Sequence, residues 1–374
     1  MARKPKTPEP EEPEGPRPRS TYELIGHEAA EASLAAALSG GRLHHGWLIT
    51  GPEGLGKETL AWRFIRRVLA LHQQQDGLFG AAAPATGLGM DPEDPLCKRI
   101  EAGGHADLLV IGREFNTKTK RLRAEITAEQ SRALGGFFAR TSGEGGWRVA
   151  LIDEADRLNN TAANAILKIL EEPPPRCLIV LLSPSPERLL PTIRSRCRTL
   201  KLRPLPAEAM HDYLGRQRPE LGAGARDSLM RLAEGRPGYA LRLADAGADA
   251  IYAELLKLAG GFPRLDRRAL LRQAGRFARA ESEAEFLLWM DLLRLLVMRL
   301  VRHATGALED PADERERHVF DAALAAVPAL DRWVRVWENL NDLVRRTEGL
   351  YLDRRQAFLS AFLTLQGAAT DPAP

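Results

Sequence analysis

The stretch ITGPEGLGKETLAW, residues 49–62, has the spacing of a loop that cradles phosphate: Gly51, four residues, then Gly56 and Lys57. In such a loop the backbone N–H groups around Gly54 to Lys57 open a helix whose N-terminal end carries partial positive charge, a site for phosphate oxygens. The next position departs from the pattern. A serine or threonine there would give its hydroxyl to the magnesium ion that travels with ATP, and this chain has Glu58. A carboxylate about 4 Å from a phosphate charge, at an effective dielectric near 20, costs roughly 4 kcal/mol before screening. Thr59 comes one residue too late, about 100° further round the helix. Lys57 and the loop amides could still hold ATP; the alternative is a glycine turn that binds nothing.

Two further clusters could do chemistry with such a loop. In LIDEAD, Asp153 could orient magnesium through water and Glu154 could polarise an attacking water. Their other reading is an acidic strand end that caps the next helix. In RSRC, 194–197, Arg196 could reach the γ-phosphate held by a neighbouring subunit, an effect worth about 10³ to 10⁵ in rate. A lone arginine would otherwise be read as a surface ion pair.

The elements that must position these residues alternate. An Ala-rich helix precedes GWLIT, a short apolar strand leading into the glycine loop, and Leu60, Phe64, Val68 and Leu71 recur at helical steps after it. From 73 to 106 the composition loosens and predicts a surface insertion. DLLVIG at 107–112 is the next strand, and Thr127 with Gln130 predicts a capping box for a helix over 128–140. WRVALIDEAD at 147–156 reads as a buried strand ending in acids. A helix then runs to Pro173, where the proline run forbids continuation, and CLIVLLS at 177–183 and TLKL at 199–202 complete the strands. This order implies an α/β fold with a mainly parallel sheet covered on both faces. Beyond Pro204 the strands stop. Three short helices over 204–248 and a longer helical region over 249–367 follow, the latter containing the apolar EFLLWMDLLRLLVMRLVRHA.

Composition bounds the function. Hydrophobic residues at 44% and charged residues at 28% describe a globular protein, and no run approaches the roughly 20 apolar residues of a membrane helix. The Pro- and Glu-rich start, 1–20, and the end, 368–374, read as disordered tails. No secretory signal is apparent, so the expectation is a cytoplasmic protein without a membrane partner. Cys97, Cys177 and Cys197 show no spacing for disulfides or zinc. A net charge of +3 is weak for a stand-alone nucleic-acid binder. The arginines of RLDRRALLRQAGRFARA, 264–280, are read as the wet face of an amphipathic helix.

Taken in order, GRLHHGWLITGPEGLGK, ALIDEADRLNNTAANAILKILEEPP and SPSPERLLPTIRSRC resemble the bacterial clamp-loader branch of the AAA+ ATPases over about residues 21–250. The resemblance implies an AAA+ P-loop core over 21–203, a helical lid over 204–248 and an all-helical collar over 249–367. It matches Gly51, Gly54, Gly56 and Lys57 to the phosphate loop, Asp153 and Glu154 to the acidic strand end, and Ser195-Arg196-Cys197 to the motif whose arginine acts in trans. Ser183 falls near the family's polar sensor. Active members place an arginine where this chain has Gly238, within GRPGYAL at 235–241, and Arg236 is displaced by two positions. With Glu58, two departures therefore fall on ATP hydrolysis. Partners implied are gamma/tau and delta subunits and, through the assembled complex, a sliding clamp and primed DNA. Some members carry four cysteines after the loop helix; here only Cys97 stands there, so no zinc is expected and His105 is read as a loop residue. A hydrolysing gamma/tau-type motor and a stand-alone DNA-binding protein are the competing readings.

Overall fold

Residues 1–205 begin with α1 (Glu28–Ser39), β1 (Gly46–Thr50), α2 (Lys57–Ala70), α3 (Pro95–Glu101) and β2 (Leu108–Ile111). A short antiparallel hairpin, β3 (Phe115–Asn116) and β4 (Arg121–Leu122), comes next, then α4 (Ala128–Phe138), β5 (Arg148–Ile152) and α5 (Asn160–Glu171). The unit closes with β6 (Cys177–Ser183), α6 (Pro191–Arg196) and β7 (Arg198–Lys201). The computed structural model describes residues 17–40, 43–71, 87–116, 121–307, 311–350 and 352–370. It divides into two units, Met1–Leu205 and Pro206–Pro374.

Strands β2, β5, β6, β1 and β7 lie side by side in that order, every pair parallel. Alternate residues of β1, β5 and β6 enter two separate cores. Trp47, Ile49, Val149, Leu151, Leu178 and Val180 pack with α1, α2 and α3. Leu48, Ala150, Ile152, Ile179 and Leu181 pack with α4, α5 and α6. Burial on both faces is why these strands read as unbroken apolar runs rather than alternating ones. Four of the five strand predictions hold to within one residue at either end, whereas the strand expected over 147–156 stops at Ile152, before the left-handed turn at Glu154.

Other expectations need correction. The described part of the 73–106 insertion, from 87 onward, contains α3 with Leu96, Cys97 and Ile100 buried. Asp94 caps it by accepting from the Leu96 N–H at 2.8 Å, and Pro95 sits in its first turn, where a missing N–H costs nothing. Residues 17–20, placed in the expected tail, include the turn Pro18–Ser20. It is held on α2 by the Arg19 guanidinium over Trp62 at 4.7 Å and by the buried Arg66, which donates to Arg19 O and stacks on Tyr22 at 4.1 Å. Residues 368–370 of the other expected tail end a helix rather than lying in a tail, and the remainder of both tails, 1–16 and 371–374, with residues 72–86, lies outside the described residues. The predicted capping box does form: Gln130 Oε1 accepts from the Thr127 N–H at 3.0 Å.

The second unit is helical. It comprises α7 (Ala207–Gln217), α8 (Ala223–Ala233), α9 (Pro237–Asp245), α10 (Ala248–Ala259), α11 (Arg267–Arg276), α12 (Glu283–Ala304), α13 (Glu314–Ala326), α14 (Leu330–Leu350) and α15 (Arg354–Thr370). Helix α12 buries Phe286, Trp289, Leu293, Leu296, Val297 and Leu300. Among the described residues no helix is long and apolar enough to cross a membrane. A charge cluster lies inside this unit. Arg299 of α12 grips Glu316 of α13 through Nε at 2.8 Å and Nη2 at 3.0 Å, and both residues are buried. Tyr252 of α10 donates its hydroxyl to the same carboxylate, and Arg299 Nη1 donates to Arg231 O of α8 at 3.1 Å. Elements on both sides of residue 248 thus share one polar network.

Breaking a buried pair strands the remaining charge, which is costlier than never having buried either group. Glu316→Gln is expected to lower unfolding free energy by about 3–5 kcal/mol in chemical denaturation. The double variant Arg299→Met with Glu316→Leu should recover most of that loss. Burial also pushes the Cys177 thiol up to about 12 from an ordinary 9.0. At pH 8 its maleimide labelling in the folded chain should be about a thousandfold slower than in denaturant, read peptide by peptide by mass spectrometry.

Candidate functional site

The sheet's carboxyl edge gathers most of the residues singled out in the sequence. β1 is flanked by β6 and β7, and from its end the chain enters the glycine loop. Gly51, Gly54 and Gly56 have φ of 138°, 82° and 88°, a region that side chains resist. At Gly51 a Cβ would also lie 2.9 Å from Leu202 O. Leu55 is buried and anchors the loop between its glycines. Lys57 opens α2 and is 9% exposed; its Nζ donates to Gly51 O at 2.7 Å and Pro52 O at 2.9 Å, curling the ammonium over the loop. His27 Nε2 donates to Leu55 O at 2.8 Å from the segment preceding α1, and burial holds its imidazole below the usual range.

Glu58 occupies the first turn of α2 and its Oε1 accepts the Trp62 indole N–H at 3.1 Å, four residues along the helix. Trp62 is buried beneath Arg19. The carboxylate therefore has a partner of its own in the fold, and no hydroxyl stands at the position that would hold magnesium.

Asp153 and Glu154 follow β5. Burial, then the neighbouring Glu154, pushes the Asp153 carboxyl above its usual range, while Lys57 and Arg113 pull it back. These charges thus act on one another around the loop. Glu154 adopts a left-handed φ of 49°, unusual for a residue with a side chain, and its N–H donates to Asp153 Oδ1 at 2.9 Å. Its carboxylate is gripped by Arg113 through Nε and, at 2.7 Å, through Nη2. Arg113 has no signal in the sequence. Its place follows from strand register: Ile111 pairs with Ile152, so the residues two steps beyond each, Arg113 and Glu154, emerge together. Ser183, at the end of β6 and opposite Thr50 in register, donates to Asp156 Oδ1 at 3.0 Å.

Arg196 belongs to the other edge. It ends α6, just before β7 starts, and Arg198 pairs with Trp47 at the beginning of β1. A Cβ on Gly46 would meet Arg196 O and Cys197 Sγ, both at 3.3 Å, which fixes this end of α6 against the first residue of β1. The loop starts at Gly51, five residues further, about 16 Å at the rise of a strand. The Arg196 side chain is 37% exposed, pairs with Glu171 at 3.0 Å and donates to Thr192 O at 3.1 Å. The sequence motifs therefore sort into two groups, with Gly51 to Lys57, Asp153 and Glu154 together and Arg196 apart.

The remaining positions have local roles. Arg236 donates to Ala233 O at 2.8 Å and stacks on Tyr239 at 4.2 Å, and Gly238 lies in the first turn of α9. His105 is buried, its Nδ1 accepts from the Asp107 N–H at 3.2 Å, and burial lowers its basicity. Among the described residues no group of three or more His, Cys, Asp or Glu is placed to hold a metal ion.

Comparison with known proteins gives matches that span the sheet and the loop. Residues 26–206 match the family model described as DNA polymerase III, delta subunit. The chain is 36% identical to DNA polymerase III subunit delta' of Pseudomonas aeruginosa over 229 residues, 61% of this chain and 64% of that protein. It is 34% identical to subunit delta' of Bacillus subtilis over 46% of each chain. With subunit gamma/tau of Mycobacterium tuberculosis it shares 30% identity over 78% of this chain and 43% of that protein. The chain thus spans less than two thirds of the length of these relatives. The parallel five-stranded sheet and the glycine loop at the end of β1 both lie within the matched residues. That matched domain, residues 26–206, is thus similar to the family described as DNA polymerase III, delta subunit, and it holds the sheet and the glycine loop.

Proposed function

We propose that the chain is a delta prime-type subunit of a cytoplasmic DNA polymerase III clamp loader, one that does not hydrolyse ATP itself but lends Arg196 to a neighbouring subunit's ATP. The observation carrying this reading is the separation of Arg196 from the chain's own glycine loop by the length of β1, with its side chain partly exposed. A guanidinium so placed has no route to the phosphate site of its own chain and is available to another. It would stabilise charge developing on a transferring phosphoryl group, a task that needs position more than proton transfer. The Glu171 pair is exposed and worth at most about 1 kcal/mol, so releasing it costs little.

The likeness to delta' proteins supports the same reading. In this role residues 204–248 act as the lid and 249–367 as the collar that joins a ring with gamma/tau and delta subunits, which opens the sliding clamp and sets it on primed DNA. Lys57 and the loop amides retain a site for nucleotide phosphates, with Glu58 weakening any magnesium complex there. The likeness to gamma/tau proteins, together with intact Lys57, Asp153 and Glu154, favours a second reading as a hydrolysing motor subunit.

In a loader reconstituted with its gamma/tau and delta partners, Arg196→Ala should cut DNA-stimulated ATP turnover by at least about a thousandfold per affected site, the lower end of the range for trans-acting arginines. Unchanged turnover would remove the trans role. For the isolated chain, magnesium-dependent ATP turnover should stay at background, and brisk hydrolysis would select the motor reading. Glu58→Thr should tighten magnesium-nucleotide binding by about tenfold or more, read by calorimetry, since it removes a like charge from beside the phosphates.

A further inference from the structure

Helix α11 carries most of the arginine-rich stretch 264–280, which the proposed nucleotide chemistry leaves unused. Leu270 and Ala274, with Phe277 just beyond the helix, are buried, whereas Arg267, Arg268, Leu271, Arg272 and Gly275 are exposed, Leu271 by 48%. At 3.6 residues per turn the exposed set shares one face about 140° wide. Arg264, also exposed, precedes it. The face is open at its middle: nothing lies within 4 Å of where a Cβ on Gly275 would stand.

Charge on this face is only partly balanced from within. Arg276, at its border, pairs with Glu254 at 3.2 Å and Glu285 at 2.7 Å. Among the described residues, no carboxylate comes within ion-pair distance of Arg264, Arg267, Arg268 or Arg272. Asp266 is adjacent and its field reaches Arg272 and Arg268, but its carboxylate is held as the helix cap, accepting from the N–H groups of Arg268 at 2.8 Å and Ala269 at 3.1 Å, and it is one charge against four. Arg267 and Arg268 also stand in the first turn, where the helix end is already positive and cations are disfavoured. An external polyanion would relieve both effects.

Geometry narrows the class of polyanion. Arg268 and Arg272 are one turn apart, about 6 Å of helix rise, close to two axial phosphate steps of about 3.4 Å along one strand of a duplex. Guanidinium forks suit phosphate oxygens. The exposed face has no aromatic side chain on which unpaired bases could stack, which favours backbone contacts to paired over single-stranded nucleic acid. We propose that the arginine face of α11 binds the phosphate backbone of duplex DNA without sequence preference. The replication setting is taken from the proposed function; the surface itself is read from α11 and its flanking residues.

The test uses the full chain, a fluorescein-labelled duplex of about 20 base pairs and salt varied over about 50 to 200 mM. Arg264→Gln, Arg267→Gln, Arg268→Gln and Arg272→Gln are combined in one variant, with the thermal midpoint checked against the parent. All four side chains are exposed, so the variant should fold. It should bind at least about tenfold more weakly at low salt, and its slope of log K against log salt should be shallower by about 3 to 4, near 0.9 per lost phosphate contact. No duplex binding by the parent, or equal affinity and slope in parent and variant, would overturn the proposal. So would tighter binding of the parent to oligo-dT or to polyglutamate of matched charge. Arg196→Ala should leave duplex affinity of the isolated chain unchanged, so failure of the trans role and failure of this surface give different results.

Discussion

All five main strands of the first unit point the same way, and this one constraint sorts its chemistry. A parallel sheet has one edge where every strand ends and one where every strand begins. Loop glycines, Lys57, Asp153, Glu154 and Arg113 follow strand ends, Ser183 is the last residue of a strand, and Arg196 precedes a strand beginning. The strand length between those edges is set by apolar burial on both faces, through Trp47, Leu48 and Ile49 in β1 alone. A core requirement thereby fixes the distance between the glycine loop and Arg196.

Electrostatics at the strand ends shows how each charge is accounted for. Lys57 rests on two loop carbonyls, Glu58 on the Trp62 indole, and Glu154 on Arg113. Asp153 has the Glu154 N–H and the fields of Lys57 and Arg113 against the penalty of burial. Each partnership is local and made of backbone or side chains of this chain. A ligand entering with its own negative charge would have to compete for Lys57 and Arg113, and Glu58 would add repulsion where the usual loop pattern has a neutral hydroxyl. A left-handed Glu154 is a mark of constraint at this point: the backbone tolerates an unfavourable φ while the carboxylate is clamped.

Much of this was legible in the residue order, for physical reasons. Strands buried on both faces are continuous apolar runs, and a glycine loop between strand and helix has a fixed spacing, so β1, β5 and β6 and the phosphate loop are readable directly. The Thr127–Gln130 box is local and equally readable. What depends on pairing across the sheet was not. Arg113 meets Glu154 only because β2 and β5 align in register, and nothing near either residue announces it. Helix α3 was hidden by loose composition around it, although Asp94-Pro95 carries a start signal. The charge cluster of Arg299, Glu316 and Tyr252 joins positions far apart in the chain, beyond any periodicity argument.

Gly46 has a quieter consequence. Because it lacks a side chain, the backbone at Arg196 and the Cys197 sulfur press directly on the start of β1, and even a methyl group would collide with Leu170 at 2.8 Å. The guanidinium is thus mounted on a stiff pedestal rather than on a swinging loop. Whatever freedom it has lies in its own torsions, so the aim of that arm is inherited from the sheet, and a single added carbon at the pedestal's foot would misdirect it without touching the arm.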